Sequence, residues 1–137
     1  MVILEPDKIQ VILNQIKEHD LVNKLHLTTG NCGVFAIALK HLTGLGELYG
    51  INSHCHIVLK LARGLYVDGT GMMNVRELKE EWSSWGWRFA PNDDERDIVE
   101  GTSHSFTVIQ MEHILQMLAE ETPIKDVMSY ATKHDEW

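Results

Sequence analysis

Basic residues are scarce in this 137-residue chain. Lysine and arginine together number 12 against 20 aspartates and glutamates, so the formal net charge is 12 minus 20, or −8. Proteins that bind nucleic acid or an anionic membrane surface need a basic face. The charge balance therefore argues against nucleic acid and against a membrane as partners.

Long apolar runs are also missing, and none approaches the length that crosses a bilayer. Residues 1–7 lack the basic stretch and apolar segment of a signal peptide, so we expect a cytoplasmic protein. Internal repeats, low-complexity tracts and linkers are absent as well. The length and the 44% hydrophobic content suit a globular fold, and we expect a single α+β domain over residues 1–137.

Cysteine occurs only twice, as Cys32 and Cys55. A cytosolic chain keeps such thiols reduced, so no disulfide framework is expected. The paired C-x-x-C and H-x-x-x-H spacings of common zinc sites do not occur, and no cofactor is expected.

The most informative stretch is residues 28–39, where a small polar loop leads through Cys32 into an apolar run. A helix that is apolar on all sides is normally buried, and Cys32 lies at its predicted first turn. Free N–H groups and the helix dipole favour an anion there, including a thiolate. The same N–H groups are suitable donors to an oxyanion. The alternative is a cysteine that only packs in the core.

Two strands are predicted next, over residues 54–61 and 65–68, joined by a three-residue loop at 62–64. In that register Val58 pairs with Asp68, and His56 lies on the same face as a diagonal neighbour of Asp68. A two-residue turn would instead put His56 and Asp68 on opposite faces. The hairpin register therefore decides whether a His–Asp pair exists.

The rest of the chain is predicted as elements that flank this hairpin and the buried helix. A cluster of tryptophans in this part of the chain either packs in the core or lines a groove. Residues 92–102 are predicted as an acidic loop with at most one helical turn. The predicted helices cover residues 6–24, 33–43, 74–82, 106–121 and 124–132, the further strands cover 47–51 and 87–90, and the tryptophans are Trp82, Trp85 and Trp87.

Residues 30–36 (GNCGVFA), 56–59 (HIVL) and 64–69 (GLYVDG) resemble the papain-like superfamily, most closely its transglutaminase-like and NlpC-like branches. The resemblance covers residues 28–71. It implies a cysteine-bearing helix packed on a small antiparallel sheet with flanking helices. It further implies a thiol protease, amidase or acyl-transfer enzyme with Cys32 as nucleophile, His56 as base and Asp68 as the orienting residue.

The amide substrate implied by the resemblance is a peptide, a protein or a small amide, and the oligomeric state stays open. The chain lacks the papain-type glutamine before the cysteine and the aromatic residue after it. Asn31 and Thr29 are therefore the candidates for the second oxyanion donor. His54 is a candidate supporting group or alternative base.

Two other hypotheses compete with the triad. Strand alternation would place His54 and His56 on one face, and with Cys32 and Asp68 they would complete a four-ligand zinc site. In the second alternative, the chain is a small acidic interaction module that keeps the fold but has a degenerate site. Cys32→Ala would leave the activity of such a module intact.

Overall fold

The computed structural model describes residues 3–84 and 86–135. This part of the chain has an α+β fold with seven helices and one five-stranded antiparallel sheet. The helices are α1 (Lys8–Glu18), α2 (Leu21–Lys24), α3 (Cys32–Thr43), α4 (Val75–Trp82), α5 (Glu95–Gly101), α6 (Val108–Ala119) and α7 (Ile124–His134). The strands are β1 (Glu47–Ile51), β2 (His56–Ala62), β3 (Leu65–Asp68), β4 (Gly71–Met73) and β5 (Phe89–Pro91).

Helix α3 forms the centre of the core. Every residue from Cys32 to Leu39 is buried, as the unbroken apolar run predicts. The helix ends at Gly44, whose φ of 67° is the left-handed conformation in which glycine commonly ends helices. The prediction of a buried helix that carries the cysteine is confirmed. No helix within the described residues combines the length and apolar character needed to cross a membrane.

The strands lie in the order β4-β3-β2-β1-β5, and their alternation gives the sheet two different faces. One face contributes Leu48, Ile57, Leu59 and Val67 to the large core around α3. The opposite face contributes Ile51, Val58, Tyr66 and Met73 to a smaller core with Leu78 of α4. His56 and Asp68 belong to this second face, because they alternate with Ile57 and Val67.

The β2–β3 hairpin reaches the predicted register by a different turn. Ala62 pairs with Leu65, so the turn has two residues rather than three. A bulge between Lys60 and Ala62 then adds one residue to β2, and Lys60 pairs with Tyr66. The predicted loop was wrong. The bulge compensates for the shorter turn. From Lys60 back to His56, strand β2 therefore has the register that puts His56 and Asp68 on the same face.

Four other predictions needed correction. The predicted first helix is divided at Asp20, which has a left-handed φ of 54°. Strand β2 begins only at His56, because the turn at Asn52 and Ser53 continues through residue 55. The acidic loop contains the seven-residue helix α5, and the short strand β4 follows the bend after Asp68. Trp85 lies outside the described residues.

Candidate active site

Cys32 is the first residue of α3, and it is 4% exposed. The first main-chain bond of the helix runs from the N–H of Phe35 to the carbonyl of Asn31, at 2.9 Å. The N-cap residue Asn31 makes no side-chain bond to the first turn. The Asn31 side chain therefore does not accept hydrogen bonds from the main-chain N–H groups beside the sulfur, which suits a site that binds negative charge.

Asn31 instead fixes the position of the loop before α3. Its Nδ2 donates to the carbonyl of Leu25 at 2.8 Å and to Oγ of Ser105 at 2.9 Å. Its Oδ1 accepts from the N–H groups of Ser105 at 2.9 Å and Phe106 at 3.3 Å. Both amide hydrogens are used, so the side chain of Asn31 positions this loop and has no free hydrogen to donate to an oxyanion. Thr29 is exposed, and its main-chain N–H donates to His26 at 3.4 Å, with no described bond to the site.

His56 and Asp68 form a buried pair, as the hairpin register predicts. Nε2 of His56 is 2.7 Å from Oδ2 of Asp68, and the two side chains are 0% and 3% exposed. The other carboxylate oxygen, Oδ1, accepts from the N–H of Thr70 at 2.8 Å and from its hydroxyl at 2.5 Å. The bend after β3 thus fixes the carboxylate, and the carboxylate fixes the imidazole.

The pair favours a protonated imidazole. Burial alone lowers the pKa of His56, but the hydrogen bonds and charges of Asp68 and Cys32 outweigh it and raise the pKa from 6.5 to about 9. Burial alone raises the pKa of Asp68, but the His56 and Thr70 hydrogen bonds hold it below its ordinary value. At neutral pH the two groups are therefore an imidazolium and a carboxylate.

Cys32 lies close enough to the His56 imidazole to help raise its pKa. Nδ1 of His56 is buried and has no partner at hydrogen-bonding geometry among the described residues. Cys32 nevertheless acts on the imidazole as a hydrogen-bonding and charged neighbour. The two groups thus lie close together without a fully formed bond, as catalytic pairs often do before substrate binds. The structure therefore brings together Cys32, His56 and Asp68, the three residues that the sequence analysis predicted as a triad.

Trp82 completes the surroundings of the imidazole. Its ring stacks on His56 with the centroids 3.9 Å apart and the planes 9° from parallel. Helix α4 positions this ring, and its start is fixed by a capping box between Asn74 and Glu77. Sequence reasoning did not assign Trp82 a role, because helical spacing alone does not distinguish a core tryptophan from one that contacts a catalytic histidine.

His54 lies apart from the triad. Its Nε2 contacts Oδ2 of Asp97 on α5 at 2.8 Å, and its Nδ1 lies 3.4 Å from Oγ of Ser53. Because residue 54 precedes β2, strand alternation does not place it beside His56. Across residues 3–84 and 86–135, no three His, Cys, Asp or Glu side chains are grouped so that they could hold a metal ion. The four-ligand zinc hypothesis is therefore wrong in its geometry.

The triad is enclosed, and the two cavities described below are lined by other residues. Cys32, His56 and Asp68 are at most 4% exposed. A cavity of about 490 Å³ is lined by Asn52, Ser53 and residues 86–88. A second, of about 350 Å³, shares Ser53 and Arg88 and extends to Asp97. Neither is lined by a member of the triad.

Comparison with protein-family models, with curated proteins and with solved structures finds no match to this chain. Any assignment of function to the site therefore depends on its own geometry.

Proposed function

We propose that the chain is a cysteine hydrolase or acyl-transfer enzyme of papain-like type that acts on an amide bond. The observation that supports this proposal is the continuous buried series Asp68–His56–Cys32, which begins at a carboxylate and ends at a thiol on a helix N-terminus. A cysteine that only packs in the core needs neither a charged histidine beside it nor a carboxylate behind that histidine.

In the proposed resting state, the proton of the thiol already lies on Nδ1 of His56, and the sulfur is a thiolate. The resulting imidazolium is held by Asp68 through Nε2. The thiolate attacks the carbonyl carbon of the amide, a C–S bond forms, and the carbonyl electrons move onto the oxygen. The main-chain N–H of Cys32, at the unoccupied start of α3, is the donor nearest to that oxygen.

In the second step, Nδ1 of His56 gives its proton to the leaving nitrogen as the C–N bond breaks, which leaves a thioester. Water, or an amine in a transfer reaction, then loses a proton to Nδ1 and attacks the thioester. The C–S bond breaks, the sulfur leaves as the thiolate, and the imidazolium is restored beside it. Asp68 keeps Nδ1 directed at the sulfur in both steps, because its hydrogen bond fixes the other edge of the ring.

The decisive experiment measures carboxamidomethylation of Cys32 by iodoacetamide from pH 5 to pH 9, resolved from Cys55 by peptide mass spectrometry. We expect rapid modification at pH 6 that falls at least tenfold in His56→Ala, because a neighbouring imidazolium favours the thiolate. The matched control is His113→Ala, which removes a histidine that stacks on Tyr130 of α7. Equal profiles in all three proteins would contradict the proposal.

A direct assay separates the proposed reactions. Unfolded casein supplies both peptide bonds and glutamine side chains, so new amino termini would report a peptidase and released ammonia a deamidase. We expect one of these products from the parent protein and neither from Cys32→Ala. Binding of a partner that survives Cys32→Ala, with no product from either protein, would favour the interaction module instead.

A further inference from the structure

The closed site raises the question of how a substrate reaches the sulfur. A nucleophile must approach its carbonyl carbon to about van der Waals contact before it attacks. Cys32 is 4% exposed and His56 is 0% exposed, so the present surface offers no such approach. One of the surrounding elements has to move.

Three elements lie against the triad or its neighbours in sequence: the loop before α3, Trp82 of α4, and α5. The loop before α3 is fixed by the four buried hydrogen bonds of Asn31. Trp82 is stacked directly on the imidazole and packs against the smaller core. The third element is α5, and it contacts both sides of the site.

Helix α5 packs against the residue that follows the cysteine. A Cβ atom added to Gly33 would lie 2.8 Å from Cγ2 of Ile98 and 3.2 Å from Oγ1 of Thr102, so α5 reaches the first turn of α3 with no space between. At its other side, a Cβ added to Gly101 would overlap the ring of His54. The helix thus lies between the Cys32 helix and the turn that leads into His56.

Two of the contacts that hold α5 lie at the surface. Nε2 of His41 is 2.7 Å from Oε1 of Glu95, and Nε2 of His54 is 2.8 Å from Oδ2 of Asp97. We call these two contacts the α5 latch. The four side chains are between 25% and 51% exposed.

Helix α5 has little stability apart from the latch. It has seven residues, and Ile98 is the single buried side chain that it contributes. So short a helix does not form without tertiary contacts. Exposed charged contacts are individually weak. Segments with few buried contacts open at a lower free energy than the rest of a fold.

We propose that α5 is a lid over Cys32 and that the α5 latch sets how often it opens. The lid regulates access to the site of the proposed function, and its role in access to substrate rests on that function. The opening itself is a property of the fold and is measured independently. Breaking either contact increases the fraction of molecules in which the thiol is accessible.

The experiment uses the full chain with Cys55→Ser, so that Cys32 is its one thiol, and follows carboxamidomethylation by iodoacetamide. Glu95→Ala and Asp97→Ala should each raise the rate about two- to fivefold, and the double variant by about the product. The matched control is Glu100→Ala, on the same helix, because among the described residues the Glu100 side chain pairs only with Arg96, one turn away. Its rate should equal that of the parent.

Hydrogen exchange distinguishes lid opening from general loosening. In the double variant, the main-chain amides of α5 should lose protection while those of α6 keep theirs. An unchanged alkylation rate in the double variant, or equal loss of protection in α5 and α6, would overturn the lid.

Adding His56→Ala to each protein separates the two proposals. If the latch variants react faster than the parent, but His56→Ala changes the rate in none of the proteins, the lid is supported and the activated thiol is contradicted. If the rate depends on His56 but the latch variants match the parent, the proposed function stands and the lid fails.

Discussion

The buried His56–Asp68 pair makes the stability of the protein depend on pH in a defined direction. The pKa of His56 is raised from 6.5 to about 9, which corresponds to about 3 kcal/mol of folding free energy. A raised pKa means that the folded state holds a proton which the unfolded state releases. This stabilisation is therefore complete below pH 6.5 and is lost as the pH rises through 9.

The lowered pKa of Asp68 acts at the other end of the range. The stability it contributes is present above about pH 4 and is lost as the pH falls through the pKa of the folded state. Between about pH 4 and pH 6.5, both contributions are complete. The pair predicts a stability plateau in this window, with a decline on either side.

Urea unfolding, followed by tryptophan fluorescence at pH 6.5 and pH 9.5, measures the alkaline limb. We expect the free energy of unfolding to fall by about 3 kcal/mol in the parent protein. In Asp68→Asn the fall should be much smaller, because His56 loses its charged partner. His41, whose pKa is also raised, titrates in both proteins, so the difference between them isolates His56. An equal fall in both proteins would refute the reasoning.

Two further predictions concern residues around the triad. Trp82→Leu should lower the pKa of His56, read from its NMR titration, because a stacked aromatic face stabilises an imidazolium, while Trp82→Phe should keep most of the effect. A titration unchanged in both variants would exclude that role. Asn31→Ala should lower the free energy of unfolding in urea by about 2–4 kcal/mol, because it leaves buried main-chain groups without partners. The exposed Asn23→Ala should cost less than about 1 kcal/mol, and similar losses in both would contradict the assignment.

Sequence patterns were sufficient where the physics is local. The apolar run from residue 33 to residue 39 specified a buried helix because no side of that stretch carries polar residues to face water. The glycine at position 44 marked its end. The β-branched residues before Gly64 and the glycine itself specified the hairpin, although the bulge after Lys60 was not predicted.

The predictions failed where partners distant in sequence decide the structure. From the sequence, Asn31 was a candidate oxyanion donor beside the cysteine. In the fold, its side-chain amide is hydrogen-bonded to Ser105 and Phe106. His54 fits a strand pattern, yet Asp97 holds it in the preceding turn. Helix α5 has weak periodicity, and its stability depends on the His41 and His54 side chains. Such contacts become visible only when the fold brings the two segments together.

The bonds of Asn31 also affect the order in which the protein is made. Ser105 and Phe106, which fix the residue before the cysteine, are translated more than seventy residues after it. A nascent chain released before that point has the cysteine, the histidine and the aspartate but lacks the bonds that hold the cysteine loop. During synthesis the loop before Cys32 is therefore fixed only after residue 106 has been made.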